Sequence, residues 1–395
     1  MSALACASLL AGCGGASAGG TSDPTSAAQT TPIKNAVDPT HAVGAPGKWN
    51  GKLYGADLLV VGEQSLSPQL VKRIRSIRIG TGKHKVRGVA VDVPLSIGQF
   101  AMENHLYNVA AVDPSSYRDF TGQRSAAWQD QWNRVAGGEI AVADKLDGTI
   151  PVDKNGYVAI GSGGDTQNIH VGAWSPSTVL GVDAIVNEKW GQALGLEQAN
   201  ALLINTGYAS PQQVRKQIEK INGDLSVTAM DAVARFGIDP KAVQNVQFVG
   251  SYSQAVGLYR YTAIGGGRVA PDPAWVAAHI ETRVMPIIGA MTCNKVMFPQ
   301  LEAALREIQA RGLADKITNY AGCYNPRFIA GSTTLSNHAF GLAFDIDPAE
   351  NARGTVGHMD PGVVQTFERW GFTWGGTWHY TDPMHFELNR IVQPG

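Results

Sequence analysis

Short apolar runs separated by turn residues fill the first two-thirds of the chain. Leu58-Leu59-Val60-Val61 after Asp57 reads as a strand buried on both faces, because it is continuously apolar and too short for a helix. Pro68 to Ile77 follows as a helix, with Leu70, Ile74 and Ile77 on one face. Val86–Val91, Leu106–Val112 and Tyr157–Ile160 predict further strands. Asp183–Asn187 predicts a strand running into a helix that ends near Ala193. Ala201–Asn205 predicts another, before a helix opened by Ser210-Pro211. Such alternation points to an α/β or α+β domain on a mixed sheet, and no repeat of fixed period is present. Toward the C-terminus, Leu301–Ile308 is an amphipathic helix. Leu342–Asp347 alternates as a strand does, and Met384–Leu388 sets His385 and Glu387 on one face against Met384, Phe386 and Leu388 on the other.

Polar positions in these last two segments carry chemistry. The stretch Ser336-Asn337-His338-Ala339-Phe340-Gly341-Leu342-Ala343-Phe344-Asp345 and the stretch Tyr380-Thr381-Asp382-Pro383-Met384-His385-Phe386-Glu387 together offer two imidazoles and a carboxylate. Three such ligands suit a zinc ion that keeps its fourth position for water, which is the composition of a catalytic site. His338 and Asp345 are seven apart, an odd spacing that on one strand would split them between faces. A bend between them is therefore required, and Gly341 with the small Ala343 permits it. A hydrolase also needs a carboxylate to take the proton of the attacking water, and Asp382 and Glu387 are both close enough in sequence to serve. His379 is expected to contact substrate or support the site, since a fourth protein ligand would close the open position.

The two segments resemble the SxHxxGxAxD and DxxHFE signatures of the M15 metallopeptidases, the D-alanyl-D-alanine carboxypeptidases, dipeptidases and L-alanyl-D-glutamate endopeptidases. The likeness covers roughly residues 275–395. It implies Zn2+ held by His338, Asp345 and His385, with Asp382 as the general base. Tyr324-Asn325-Pro326-Arg327 is similar to the family's substrate-side arginine segment, which implies that Arg327 stabilises an oxyanion or holds a substrate carboxylate. Ser336 is implied to hydrogen-bond near the metal or substrate. The expected fold is α+β: a Hedgehog/DD-peptidase-like zinc domain with a small antiparallel sheet, preceded by a mixed α/β domain. The implied substrate is a peptidoglycan stem peptide. The alternative is a zinc-containing binding module without activity, or an envelope-assembly accessory acting through the N-terminal domain.

Composition narrows the partners. A net charge of −1 gives no basic excess for nucleic acid. Leu10-Ala11-Gly12-Cys13 matches a lipobox after a short apolar stretch, predicting a lipid anchor at Cys13 and an extracytoplasmic location. No positive segment precedes it, so the true start is expected upstream of Met1. Residues 14–46, rich in Gly, Ala, Ser, Thr and Pro, predict a flexible tether. Cys293 and Cys323 then remain as one pair, most simply a disulfide in an exported protein. The resulting division is 1–46 signal remnant and tether, 47–268 non-catalytic α/β domain, and 269–395 zinc peptidase domain.

Glycine-rich Gly161–Asp165 and Gly265–Arg268 lack the strand–loop–helix frame of a phosphate cradle and each reads as a turn or a hinge, with Gly265–Asp272 expected to be the hinge into the peptidase. Asp57–Glu63 with Leu106–Phe120 resembles the extracytoplasmic domain of MacB- and FtsX-type permeases. That implies a regulatory domain or one docking an envelope protein.

Overall fold

Leu58 and Val60 bury one face of their strand while Leu59 buries the other, so the continuous apolar run is a central strand covered on both sides. It lies in a nine-stranded mixed sheet. The order is Ser226–Ala229, Leu58–Val61, Ala201–Asn205, Val91–Met102, His105–Val112, Ala184–Asn187, Ile140–Ala143, Gln167–Ser175 and Tyr157–Ile160. Pairing is antiparallel except where His105–Val112 meets Ala184–Asn187 and where Ile140–Ala143 meets Gln167–Ser175. Helices Pro68–Arg75 and Pro211–Ile221 cover one region of it, and Gln129–Ala136 another. The molecule, a computed structural model, is described over residues 36–394 apart from 83–84, 104, 162–165, 176–178, 237, 240, 249–252 and 331. It is mixed α and β with several separate sheets, as an α+β chain should be.

Several expectations change. The lipobox, Cys13 and most of the tether lie outside the described residues. From Asp38 onward the segment expected to be a tether is docked: Asp38 N donates to Gly137 O at 3.1 Å and Val43 N to Ala136 O at 2.8 Å. His41 stacks on Trp190 with ring centroids 3.7 Å apart, which gives this polar stretch an apolar anchor. The single strand expected over Val86–Val91 divides into Val86–Arg87, paired with Arg78–Ile79, and the long Val91–Met102. Of Gly161–Asp165 only Gly161 is described.

The expected hinge is a hairpin turn. Gly265, Gly266 and Gly267 all have positive φ and join Leu258–Gly265 to Arg268–Pro271, which pair antiparallel beside Gln244–Gln247. The division expected at 268/269 therefore falls at the start of a strand. Val246, Val256, Tyr259, Tyr261 and Val269 belong to the same core as Phe298, Leu301, Phe340 and Phe386. An edge-on contact of Tyr259 with Phe340, centroids 4.7 Å apart, joins the three-stranded sheet to the turn that carries His338.

That core also holds the sheet Tyr320–Gly322, Ala343–Ile346, His385–Leu388, Phe372–Trp374, in that order. Phe344, Phe367, Phe372 and Phe386 form a buried aromatic cluster behind it, with helices Phe298–Ala310 and Pro361–Arg369. Cys293 and Cys323 are joined by a disulfide.

Candidate metal centre

Period-2 alternation places the apolar side chains of the His385–Leu388 strand in the aromatic core and frees His385 and Glu387 for the opposite face. Asp345 is the cross-strand partner of His385, so its side chain emerges beside it. His338 arrives by a different route, from the single-turn helix Asn337–Phe340. Ser336 caps that turn, its Oγ accepting from His338 N at 3.4 Å. Gly341 ends it with φ +64, and a Cβ there would lie 2.6 Å from Asn294 N. The bend required by the odd spacing is thus a helical turn closed by a left-handed glycine.

Together His338, Asp345 and His385 bring one ligand atom each within 4.8 Å of one another. His338 Nδ1 donates to Cys323 O at 2.8 Å, which fixes the ring and turns Nε2 toward Asp345 Oδ2 at 3.2 Å. His385 directs Nδ1 at Asp345 Oδ1, 3.1 Å away, and Nε2 at Glu387 Oε2, also 3.1 Å away. Glu387 is held in turn by Asn337 Nδ2 at 2.8 Å. Each imidazole therefore has one nitrogen oriented by the protein and the other facing the common carboxylate, the usual support of a metal-binding histidine. At 3% and 1% exposure, His338 and His385 are both buried. The donor set fits a zinc ion, and the His–Asp–His group could hold one.

Electrostatics reflect the same closeness. Burial alone would raise the Asp345 pKa, but hydrogen bonds from His338 and His385 outweigh it and hold the carboxyl well below the usual carboxylate range. Burial lowers the His385 pKa, yet hydrogen bonds to Asp345 and Glu387 raise it to about 9.

Asp382 occupies the loop before the last strand. Its N donates to Gly375 O at 2.8 Å, and its own carbonyl accepts from His385 N at 3.0 Å. Gly375 is required here because a Cβ would collide with the Asp382 carbonyl oxygen. Trp374 Nε1 donates to Pro383 O at 2.7 Å and clamps the loop from outside. Asp382 is 5% exposed, and its Oδ1 is buried with no hydrogen-bond partner. Burial raises its pKa, and Asp345 adds to the rise against His385, Arg353 and His338. Of the two acids open in sequence, Glu387 is occupied behind His385, whereas Asp382 has a free oxygen.

The remaining expectations fall nearby. Asn325 N donates to His338 O at 2.9 Å and Ser336 N to Arg327 O at 3.2 Å, which brings the Arg327 backbone alongside the ligand turn. Ser336 is fully buried beneath His338. His379 is exposed on the rim and lies outside the His–Asp–His group. Arg353, which carries no sequence signal, approaches Asp382 Oδ2 with Nε at 3.7 Å and lies over the Tyr380 ring. Glu103, from the distant nine-stranded sheet, was equally silent and accepts from His379 N at 3.2 Å.

Residues 330–388 match the M15 peptidase family model described as D-alanyl-D-alanine carboxypeptidase, which supports an M15 peptidase domain at the C-terminus. The matched segment contains His338, Asp345, Asp382 and His385. No curated protein matches the chain.

Proposed function

We propose that the protein is a zinc-dependent peptidase that hydrolyses peptidoglycan stem peptides, with His338, Asp345 and His385 as ligands and Asp382 as general base. The observation that carries this reading is the unpartnered Oδ1 of Asp382, buried beside a ready-made His–Asp–His group. A group kept out of water without a partner needs a functional account, and a base awaiting a water proton supplies one. Bound there, zinc supplies Lewis acidity, which lowers the pKa of a water to about 7 and polarises the scissile carbonyl. Asp382 takes the water proton and returns it to the departing amine nitrogen. Glu387 and the Cys323 carbonyl keep the two imidazoles in their ligating orientations. Arg327, whose side chain has no ion pair among the described residues, serves the oxyanion or a substrate carboxylate.

The M15 match favours D-alanyl-D-alanine carboxypeptidase chemistry, with L-alanyl-D-glutamate cleavage as the neighbouring specificity. In our reading the enzyme works outside the cytoplasmic membrane, anchored through Cys13. The lipobox and the disulfide support that location.

The test is incubation of the full zinc-loaded chain with purified peptidoglycan, read by mass spectrometry against Asp382→Asn. Release of terminal D-alanine identifies a carboxypeptidase, and a cut after the first L-alanine an endopeptidase. Bound zinc with no bond broken in either protein replaces this reading with a binding module.

A further inference from the structure

We propose that Glu103, at the tip of a hairpin of the nine-stranded sheet, is a positioning residue for the loop that carries Asp382, so that the N-terminal region completes the catalytic cleft. The inference rests on the hydrolase reading above and extends it to a part of the chain with no catalytic signature.

Strands Val91–Met102 and His105–Val112 pair in register from Ser96↔Ala111 out to Met102↔His105. Glu103 follows immediately, at φ +47, the left-handed conformation that a two-residue hairpin connection asks of its first residue. Its Oε2 accepts from the backbone N–H of His379, 276 residues away in sequence and three residues before Asp382. Burial raises the Glu103 pKa against the hydrogen bond from His379, so the carboxyl is partly shielded from water where it meets the loop.

Packing fixes the hairpin independently of that bond. Leu106, 7% exposed, belongs to the C-terminal core, and Ala101 packs against it. Gln247 N donates to Gln99 Oε1 at 2.9 Å, and Gln99 bridges to Phe248. These contacts seat both strands of the hairpin against the C-terminal core right up to Glu103.

The loop needs such a support. Tyr380 is exposed, and Gly354 N and Thr381 Oγ1 tie this stretch to the loop around Arg353 on one side. Glu103 supplies the tie at His379. These two ties act on the stretch before Asp382 and add to its own bonds to Gly375 and His385, and displacement of a base by about an ångström is costly to a proton transfer.

The experiment uses full-length zinc-loaded protein and compares Glu103→Ala with Glu103→Gln. Hydrogen exchange of residues 375–383, zinc content, and kcat and KM on stem peptides are read together. The alanine variant should exchange faster in that loop and lose about 10-fold in kcat, with KM and zinc content unchanged. The glutamine variant keeps a carbonyl that can accept the same hydrogen bond, and it should restore both loop protection and kcat. Unchanged exchange in Glu103→Ala overturns the proposal. So does a glutamine variant as slow as alanine, which would make the charge, not the tie, the working feature. If the wild type binds zinc and cleaves nothing, the hydrolase reading fails, and loop exchange alone still decides whether Glu103 holds the loop.

Discussion

Asp345 Oδ1 lies 3.1 Å from His385 Nδ1 because the two residues face each other in register across neighbouring antiparallel strands. With no metal bound, this closeness keeps a proton on His385: burial lowers its pKa, but Asp345 and Glu387 raise it to about 9. An unfolded histidine titrates near 6.5. The paired imidazolium therefore stabilises the metal-free fold fully below about pH 6.5, and that contribution disappears as pH rises through about 9. The Tm of chelator-treated protein should fall between these limits, and His385→Gln should flatten the fall. Zinc binding at neutral pH should release about one proton, read by calorimetry in buffers of different ionisation enthalpy. A proton count of zero would contradict the assignment of His385 as ligand.

Asp382→Asn should lower kcat by about 100-fold or more while zinc content stays at the wild-type level. The amide keeps the shape of the side chain but accepts no proton. Loss of zinc alongside activity would instead make Asp382 part of the metal's support.

Glu387→Gln should weaken zinc binding by about 10- to 100-fold, because the charged partner of His385 Nε2 is gone while Asn337 still has an acceptor. Competition with a chelator measures it. An unchanged zinc affinity together with an abolished kcat would return Glu387 to candidacy as the base.

Removal of the disulfide by the Cys293→Ala, Cys323→Ala pair should destabilise the fold by about 3 to 4 kcal/mol on loop entropy, given a sequence separation of 30. Denaturant titration reads this directly. Zinc affinity should also drop, since Cys323 carries the carbonyl that orients His338. A stable variant with normal zinc affinity would show that the turn around Gly341 holds His338 unaided.

What was legible in sequence is what local chemistry determines. The candidate ligands sit in two short segments, and the alternation of Met384–Leu388 already assigned His385 and Glu387 to one face. On residues alone Asp382 and Glu387 stood level and the family resemblance favoured Asp382; tertiary structure adds which oxygen is already engaged. Arg353 and Glu103 reach the loop of Asp382 from remote segments, and nothing in their neighbouring residues marks them. Gly265-Gly266-Gly267 left turn and hinge open for a different reason. A hinge and a tight hairpin turn ask the same conformational freedom of glycine, so composition does not separate them.

The hairpin Leu258–Gly265 and Arg268–Pro271 also limits how this chemistry can be transplanted. A fragment cut at residue 275 would retain every candidate ligand yet leave behind Val246, Val256, Tyr259, Tyr261 and Val269. The aromatic face that supports Phe340 would then be open to solvent. Any chimera or minimal enzyme built from this chain must begin before Gln244, and the smallest portable cassette is larger than the matched segment that carries its signature.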